Sequence, residues 1–172
     1  GKPIEMGGSL GRREATGRGV MLTARESAKH LGFSLKGATV AVQGFGNVGS
    51  IAAELLAREG AIIVGVTDWK GGVYNATGLD VKALVAHVAQ HKTVHGFTGG
   101  EPLPSGDIFG LPVDILIPAA LENQITEANA GQIKARLVVE GANGPTTPGA
   151  NKMLHDRGVF VVPDILANGG GV

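Results

Sequence analysis

The chain has 172 residues, of which 43% are hydrophobic and 17% are charged, and its formal net charge is zero. This composition predicts a folded globular protein with a sizeable core and excludes a disordered chain. The balanced charge indicates neither nucleic acid nor a membrane as a partner, and no apolar run is long enough to span a bilayer. Cysteine is absent, which excludes disulfides and thiol catalysis and fits a reducing cytoplasm, the location we expect.

Short β-rich runs alternate with stretches of helical periodicity along the chain. In chain order the pattern predicts a helix over residues 14–31, a strand over 39–43, a helix over 47–59, a strand over 61–67, a helix that Asp80 caps, a strand over 113–117, a helix around 127–134, a strand over 136–140, a helix around 148–157 and a strand over 159–162. Such alternation predicts an α/β fold, a doubly wound and mostly parallel Rossmann-type sheet with helices on both faces.

The domain organisation follows from the same pattern. We expect a single domain over residues 1–172, with 1–36 as an entering helical segment and 37–172 as the Rossmann core. The loop 71–78 and the stretch 93–111 are the least regular parts, and we expect the second to be a surface excursion.

A glycine turn joins the first predicted strand to the helix that follows it. Gly44, Gly46 and Gly49 form the pattern G-x-G-x-x-G in the strand–turn–helix setting that makes this pattern specific. Gly44 permits the tight turn, Gly46 lets the backbone approach a pyrophosphate, and Gly49 allows the helix to pack on the strand. Asn47 is in place either to cap the helix or to donate to a phosphate oxygen. The turn therefore predicts a dinucleotide site.

An acidic residue follows the second predicted strand, where the adenosine ribose of a bound dinucleotide should lie. Asp68 comes 24 positions after Gly44, close to the roughly 20 of dinucleotide-binding folds. Its carboxylate can accept the ribose hydroxyls, which favours NAD and repels a 2′-phosphate. Lys70 offsets that repulsion, so NADP stays open, and an aspartate that merely caps the next turn is the alternative interpretation. NAD is the preferred cofactor.

Several longer motifs resemble those of one enzyme family. These are GKPIEMGGSLGRREATGRG at 1–19, FGNVG at 45–49, PAALENQIT at 118–126, EGANGPTTP at 140–148 and PDILANGGGV at 163–172, and all are similar to motifs that occur in the same order in glutamate dehydrogenases. The related leucine, valine and phenylalanine dehydrogenases share the fold and the glycine turn. They do not usually carry the GGS-x-GR-x-x-AT-G-x-G string, so the resemblance favours glutamate as the substrate.

The resemblance also implies cofactor contacts outside the glycine turn. Asn143 and Asn168 stand in glycine-rich loops after strand ends and would face the nicotinamide side of the cleft, where Thr16 would bond the carboxamide. An Asn beside Gly is often only a turn residue, and Arg12 has a surface salt bridge as its alternative. The full set of expected cofactor-binding residues is Arg12, Thr16, Gly44, Gly46, Asn47, Val48, Gly49, Asp68, Ala119, Ala120, Asn143 and Asn168.

The implied reaction is the reversible NAD(P)-dependent oxidative deamination of L-glutamate to 2-oxoglutarate and ammonia, in an enzyme that is typically a homohexamer. In this family the catalytic lysine lies in a separate substrate domain, within a GGGKGG string that this sequence lacks. We therefore expect no catalytic residue in this chain, which would be one domain of a two-domain enzyme. The alternatives are the cofactor domain of another amino-acid dehydrogenase and a non-catalytic nucleotide-binding module.

Two further sets of residues carry side chains that are common in functional sites. Asp164 stands at a strand end near the expected cleft, where capping of a loop is its commoner role. His87, His91 and His95 have the spacing of one helix face but no evident partner acid, and we expect no metal site there.

Overall fold

The computed structural model describes residues 2–172, which form one seven-stranded sheet and five α-helices. The strands are β1 (Thr39–Gln43), β2 (Ile62–Thr67), β3 (Gly72–Tyr74), β4 (Glu101–Leu103), β5 (Ile115–Pro118), β6 (Leu137–Val139) and β7 (Phe160–Val162). The helices are α1 (Arg12–His30), α2 (Asn47–Arg58), α3 (Val81–His91), α4 (Pro148–Asp156) and α5 (Asp164–Ala167), with short 3₁₀ helices at Ile4–Met6, Ser105–Gly110, Ala130–Gln132 and Gly169–Gly171.

The sheet has the strand order β4-β3-β2-β1-β5-β6-β7. Strands β2, β1, β5, β6 and β7 run parallel, while β3 and β4 add antiparallel strands at one edge. The chain leaves β1 through α2 towards β2 and later returns to the other side of β1 as β5. The carboxyl end of β1 is thus a topological switch point, the place where open α/β sheets bind ligands. The predicted Rossmann-type fold is confirmed.

Both faces of the sheet are covered, as a parallel sheet requires. On one face α1, α2 and α3 pack on alternate strand residues such as Val40 and Val42. On the other face Ala41 and Leu116 pack against the 3₁₀ helix Ser105–Gly110 and against α4. Strand β2 reads IIVGVT because side chains on both of its faces are buried.

Two glycines lie within α1, where each lowers helix stability by up to about 1 kcal/mol relative to alanine. The structure explains both by close contacts. A Cβ at Gly17 would meet Ile51 Cγ2 of α2 at 2.6 Å, and one at Gly19 would meet the carbonyl oxygen of Ala167 at 2.9 Å and the nitrogen of Gly170 at 3.2 Å. The helix therefore carries glycine where α2 and the Gly169–Gly171 turn approach its backbone.

Three expectations about local structure were wrong. The loop 71–78 contains β3, which its pairing with β2 holds in the sheet. The stretch 93–111 is no surface excursion, because it supplies β4 and buries Val94 and Ile108 completely. The helix expected around 127–134 is only the 3₁₀ helix Ala130–Gln132. In each case the conformation depends on burial against other segments. The periodicity of a short stretch of sequence does not show such burial.

Candidate functional site

The glycine turn lies at the switch point, and two of its glycines are required by the fold itself. Gly44 has φ +91°, and a Cβ there would lie 2.7 Å from the carbonyl carbon of Ala119 and from the nitrogen of Ala120. A Cβ at Gly49 would collide with the carbonyl oxygen of Gly44 and lie 3.3 Å from Val42 Cγ1. The strand, the turn and α2 can therefore approach this closely only with glycine at both positions.

Gly46 differs from these two glycines. It precedes α2 with φ −79° and ψ −156°, an extended conformation open to other residues, and a Cβ there would meet no atom within 4 Å. The added side chain would instead enter the open space before the N-terminus of α2. Free N–H groups and the partial positive charge of a helix N-terminus suit that space to an anion such as a pyrophosphate.

Asn47 is the first residue of α2, and Gly46 occupies the N-cap position, so the structure rules out the expected capping role for the Asn47 side chain. Its Nδ2 donates instead to the carbonyl oxygen of Arg13, at 3.2 Å. Asn47 thereby ties the start of α2 to the start of α1. The remaining N–H of its amide is available to a ligand.

A cavity of about 640 Å³ opens on one side of the turn, and we call it the Asp68 cavity. Asp68 Oδ1 accepts from the N–H of Lys70 at 2.9 Å, and Oδ2 accepts from the N–H of Val94 at 2.8 Å. The first bond caps the turn after β2, and the second joins β2 to the segment after α3. Each carboxylate oxygen retains acceptor capacity for a ligand.

The floor of the Asp68 cavity is polar as well as buried. Gln43 and Thr67 line it, and within residues 2–172 Gln43 Oε1 and Thr67 Oγ1 find no hydrogen-bond partner. The amide of Gln43 is oriented by Gln124, whose Oε1 accepts from Gln43 Nε2 at 2.8 Å. Neither residue was singled out in the sequence, because a polar residue at a strand end is ordinary.

A second cavity, of about 620 Å³, lies on the other side of the turn, and we call it the Asn168 cavity. Asn168 Nδ2 donates to Asn143 Oδ1 at 2.7 Å, which joins the two Asn–Gly loops. Arg12 and Thr16 reach the cavity from α1, and a Cβ at Gly171 would lie 2.8 Å from Thr16 Oγ1 and 2.9 Å from an Arg12 guanidinium nitrogen.

The structure brings the expected cofactor-binding residues together around the glycine turn. The Asp68 cavity is lined by Gly44, Gly46, Asp68, Ala119 and Ala120, and the Asn168 cavity by Arg12, Thr16, Val48, Ala119, Ala120, Asn143 and Asn168. The two alanines line both cavities, so the cavities are neighbours. Gly49 lies beneath the turn, and Asn47 lines an adjoining groove with Arg12 and Arg13.

Sequence reasoning missed one ionisable group near the site. Glu140 directly follows β6, is buried, and has its pKa raised to about 7, first by burial and then by the charge of Asp164. Its position between a β-strand and Gly141 was visible in the sequence. Its burial was not, because the sequence does not show that the next loop covers it.

The described residues contain neither a metal-binding cluster nor a helix suited to a membrane span. Nowhere in residues 2–172 do three or more His, Asp or Glu side chains form a group that could hold a metal ion. The rings of His87 and His91 are tilted by 35° with centroids 4.4 Å apart, and His87 Nε2 lies 3.1 Å from the carbonyl oxygen of His95. Among the described helices, none has the length and apolar character that a membrane span requires.

The strand order, the glycine turn at the switch point and the flanking cavities define a Rossmann-type α/β domain. The chain belongs to the Glutamate/Leucine/Phenylalanine/Valine dehydrogenase family, whose model matches residues 7–172.

Relatives with known names cover the whole chain. It is 55% identical to glutamate dehydrogenase of Thermotoga maritima and 51% identical to NADP-specific glutamate dehydrogenase A1 of Halobacterium salinarum, in each case over 100% of this chain and 42% of the relative. It is also 46% identical to the NAD-specific glutamate dehydrogenase of Peptoniphilus asaccharolyticus, with the same coverage. The chain thus spans about two fifths of the length of these relatives.

A solved structure shows the same fold. The hetero-hexameric glutamate dehydrogenase of Thermus thermophilus, in a leucine-bound form, superposes with a TM-score of 0.93 at 38% identity, over 99% of this chain and 40% of that one.

Proposed function

We propose that residues 1–172 are the NAD(P)-binding domain of a glutamate dehydrogenase, which catalyses the reversible oxidative deamination of L-glutamate to 2-oxoglutarate and ammonia. The observation that carries the proposal is Gly46, whose missing side chain leaves the N-terminus of α2 open between two cavities. The relatives named for glutamate as substrate and for NAD or NADP as cofactor support it.

The residues of the site favour one orientation of a bound dinucleotide across the two cavities. The pyrophosphate would lie on Gly46 and the start of α2, with Asn47 and Val48 beside it. The adenosine would enter the Asp68 cavity. Within residues 2–172, the buried Gln43 Oε1 and Thr67 Oγ1 there have no hydrogen-bond partner. The nicotinamide would enter the Asn168 cavity, which Ala119 and Ala120 keep wide and Arg12, Thr16, Asn143 and Asn168 make polar.

This arrangement would assign cofactor binding to this chain and the catalytic side chains to another domain of the enzyme. A nicotinamide bound here would supply hydride transfer, as acceptor in the deamination and as donor in the reverse reaction. This chain would hold and orient the cofactor, while the catalytic lysine that the resemblance implies would belong to a second domain. Closure of the two domains would bring the substrate to the open side of the Asn168 cavity and exclude water. We further propose a hexameric assembly, as in the Thermus thermophilus relative.

The cavity geometry favours NAD over NADP as the cofactor. The Asp68 carboxylate is fixed by two backbone N–H groups and keeps lone pairs for ribose hydroxyls. It would repel a 2′-phosphate, although Lys70 is nearby and Lys92 lines the cavity. We propose that NAD is preferred and that NADP binds less tightly.

Cofactor binding is tested directly with the single tryptophan. Trp69 lines the Asp68 cavity and is 82% exposed, so bound NADH should quench its emission by energy transfer. Titration of the folded chain with NADH should give a saturable signal. Trp69→Phe should remove the signal while calorimetry still detects binding, and absence of calorimetric binding to the native chain would refute the proposal.

The role of Asp68 is tested by its replacement with alanine. Asp68→Ala should weaken NADH binding by about ten- to a hundredfold, because a charged group that accepts a ribose hydroxyl contributes roughly 1.5–3 kcal/mol. NADPH binding should weaken much less, since the repulsion of the 2′-phosphate disappears as well. Asp156→Ala, which removes an exposed carboxylate on α4, is the control and should change neither affinity. Equal losses for both cofactors would show that Asp68 only holds the loop.

A further inference from the structure

Trp69 has the most exposed ring among the Phe, Tyr and Trp side chains of residues 2–172, at 82%. A tryptophan that packs in a core buries a large apolar area, so Trp69 contributes little of this stabilisation to the fold. Exposed apolar side chains are ordinary on protein surfaces when they are scattered singly. Trp69 differs from such residues because it also lines the Asp68 cavity. Its ring is therefore available to a ligand that enters this cavity.

The backbone turn that carries Trp69 is fixed on both sides. The N–H of Asp68 donates to the carbonyl oxygen of Gly71 at 2.8 Å, and the N–H of Lys70 donates to Asp68 Oδ1 at 2.9 Å. Ser105 Oγ donates to the carbonyl oxygen of Asp68 at 3.1 Å, which joins the turn to the 3₁₀ helix that begins at Ser105. Because these bonds order the backbone, a ligand has only the two side-chain torsions of Trp69 to fix, and the contact costs little conformational entropy.

The lining of the Asp68 cavity suits a purine base. Val88 of α3, Phe109 of the 3₁₀ helix and Leu121 after β5 supply apolar side chains, in addition to the polar side chains at the floor. A purine has two apolar faces and a polar edge, and base rings stack favourably on aromatic side chains. Of the aromatic residues that line the cavity, Phe45 and Phe109 are buried. Trp69 is therefore the aromatic residue whose face a base can reach.

The position of the adenine follows from the proposed contact between Asp68 and the adenosine ribose, so this inference rests on the proposed function. The base is bonded to C1′ of the ribose, the neighbour of the carbon that bears the 2′-hydroxyl. A ribose whose hydroxyl binds Asp68 therefore places its base within reach of the next residue of the turn. We propose that the indole ring of Trp69 stacks on the adenine of the bound cofactor and covers the side of the base that faces solvent.

Direct contact is tested by fluorescence with ADP-ribose, which contains adenine, pyrophosphate and both riboses but no nicotinamide. Without a dihydronicotinamide there is no acceptor for energy transfer from the indole, so quenching of Trp69 emission requires contact with the base. ADP-ribose should quench this emission in a saturable way, with the midpoint equal to the dissociation constant from calorimetry. Calorimetric binding without quenching would overturn the stacking contact. Failure of both NADH and ADP-ribose to bind would instead refute the proposed function.

Two variants of Trp69 separate stacking from a structural role. Trp69→Ala should weaken binding of NADH and of ADP-ribose about tenfold, within the range found when a stacked aromatic residue is replaced by alanine. Trp69→Phe, which keeps an aromatic face, should lose less than about threefold, and both variants should keep the native melting temperature. Ile165→Ala removes an apolar side chain that is 83% exposed and lies outside the Asp68 cavity, so it should change neither affinity. Native affinity in Trp69→Ala, or equal losses in the two Trp69 variants, would overturn the inference.

Discussion

Gly46→Val is expected to leave the domain folded while it weakens NADH binding about a hundredfold. Because a Cβ at this position meets no protein atom and the backbone is extended there, the variant should lose little stability. The branched side chain would occupy the space in which the pyrophosphate is expected to lie, and overpacking of this kind costs up to about 3 kcal/mol. Thermal unfolding and calorimetric titration would measure the two effects separately.

Gly49→Ala provides the contrast within the same turn. Its methyl group would collide with the carbonyl oxygen of Gly44, so the cost should fall on folding, by about 1–3 kcal/mol. A Gly46→Val variant that bound NADH normally would contradict the proposed pose. One that unfolded together with Gly49→Ala would show that both glycines serve the fold alone.

Glu140→Gln is expected to stabilise the domain at pH 8 by roughly 3 kcal/mol. The carboxyl ionises near its ordinary pKa of 4.5 in the unfolded chain and near 7 in the folded one. Between these values the folded state binds more protons, so the native protein loses stability as pH rises through this window and loses no more above it. Glutamine has no charge to bury and escapes that loss. Denaturant unfolding at both ends of the window would measure it.

The pH dependence of this gain distinguishes charge burial from better packing. At pH 5 the advantage of Glu140→Gln should shrink to less than about 1 kcal/mol, because the carboxyl is then protonated in the folded state. Glu101→Gln, at an exposed site, should show no such dependence. A gain of equal size at pH 5 and pH 8 would place its origin in packing.

Much of the fold could be read from the sequence because the central strands and helices are defined locally. The helix α2 begins at a glycine turn and carries a regular apolar stripe, and β2 is apolar throughout because both faces are covered. These patterns depend on the period of each element and on the residues that end it. The positions at the carboxyl ends of the strands followed from the same information.

The parts that could not be predicted depend on contacts between distant segments. Strand β3 is three residues long and exists because it pairs with β2. The orientation of Asn47 towards Arg13 depends on how α1 crosses α2, which no local pattern records. The raised pKa of Glu140 depends first on burial and then on the charge of Asp164, which lies 24 positions further along the chain. The cofactor contacts of the site residues stay predictions.

The glycine contact between α1 and the Gly169–Gly171 turn has a consequence for how the site opens. Residues 164–171 bury a single side chain, Ala167, and otherwise contact α1 mainly through the backbone around Gly170. Apolar burial sets most of the free energy that resists local unfolding, so this segment should open far more often than the central strands. Asn168 therefore belongs to a segment of low local stability. A ligand that binds Asn168 would suppress the local unfolding of this segment.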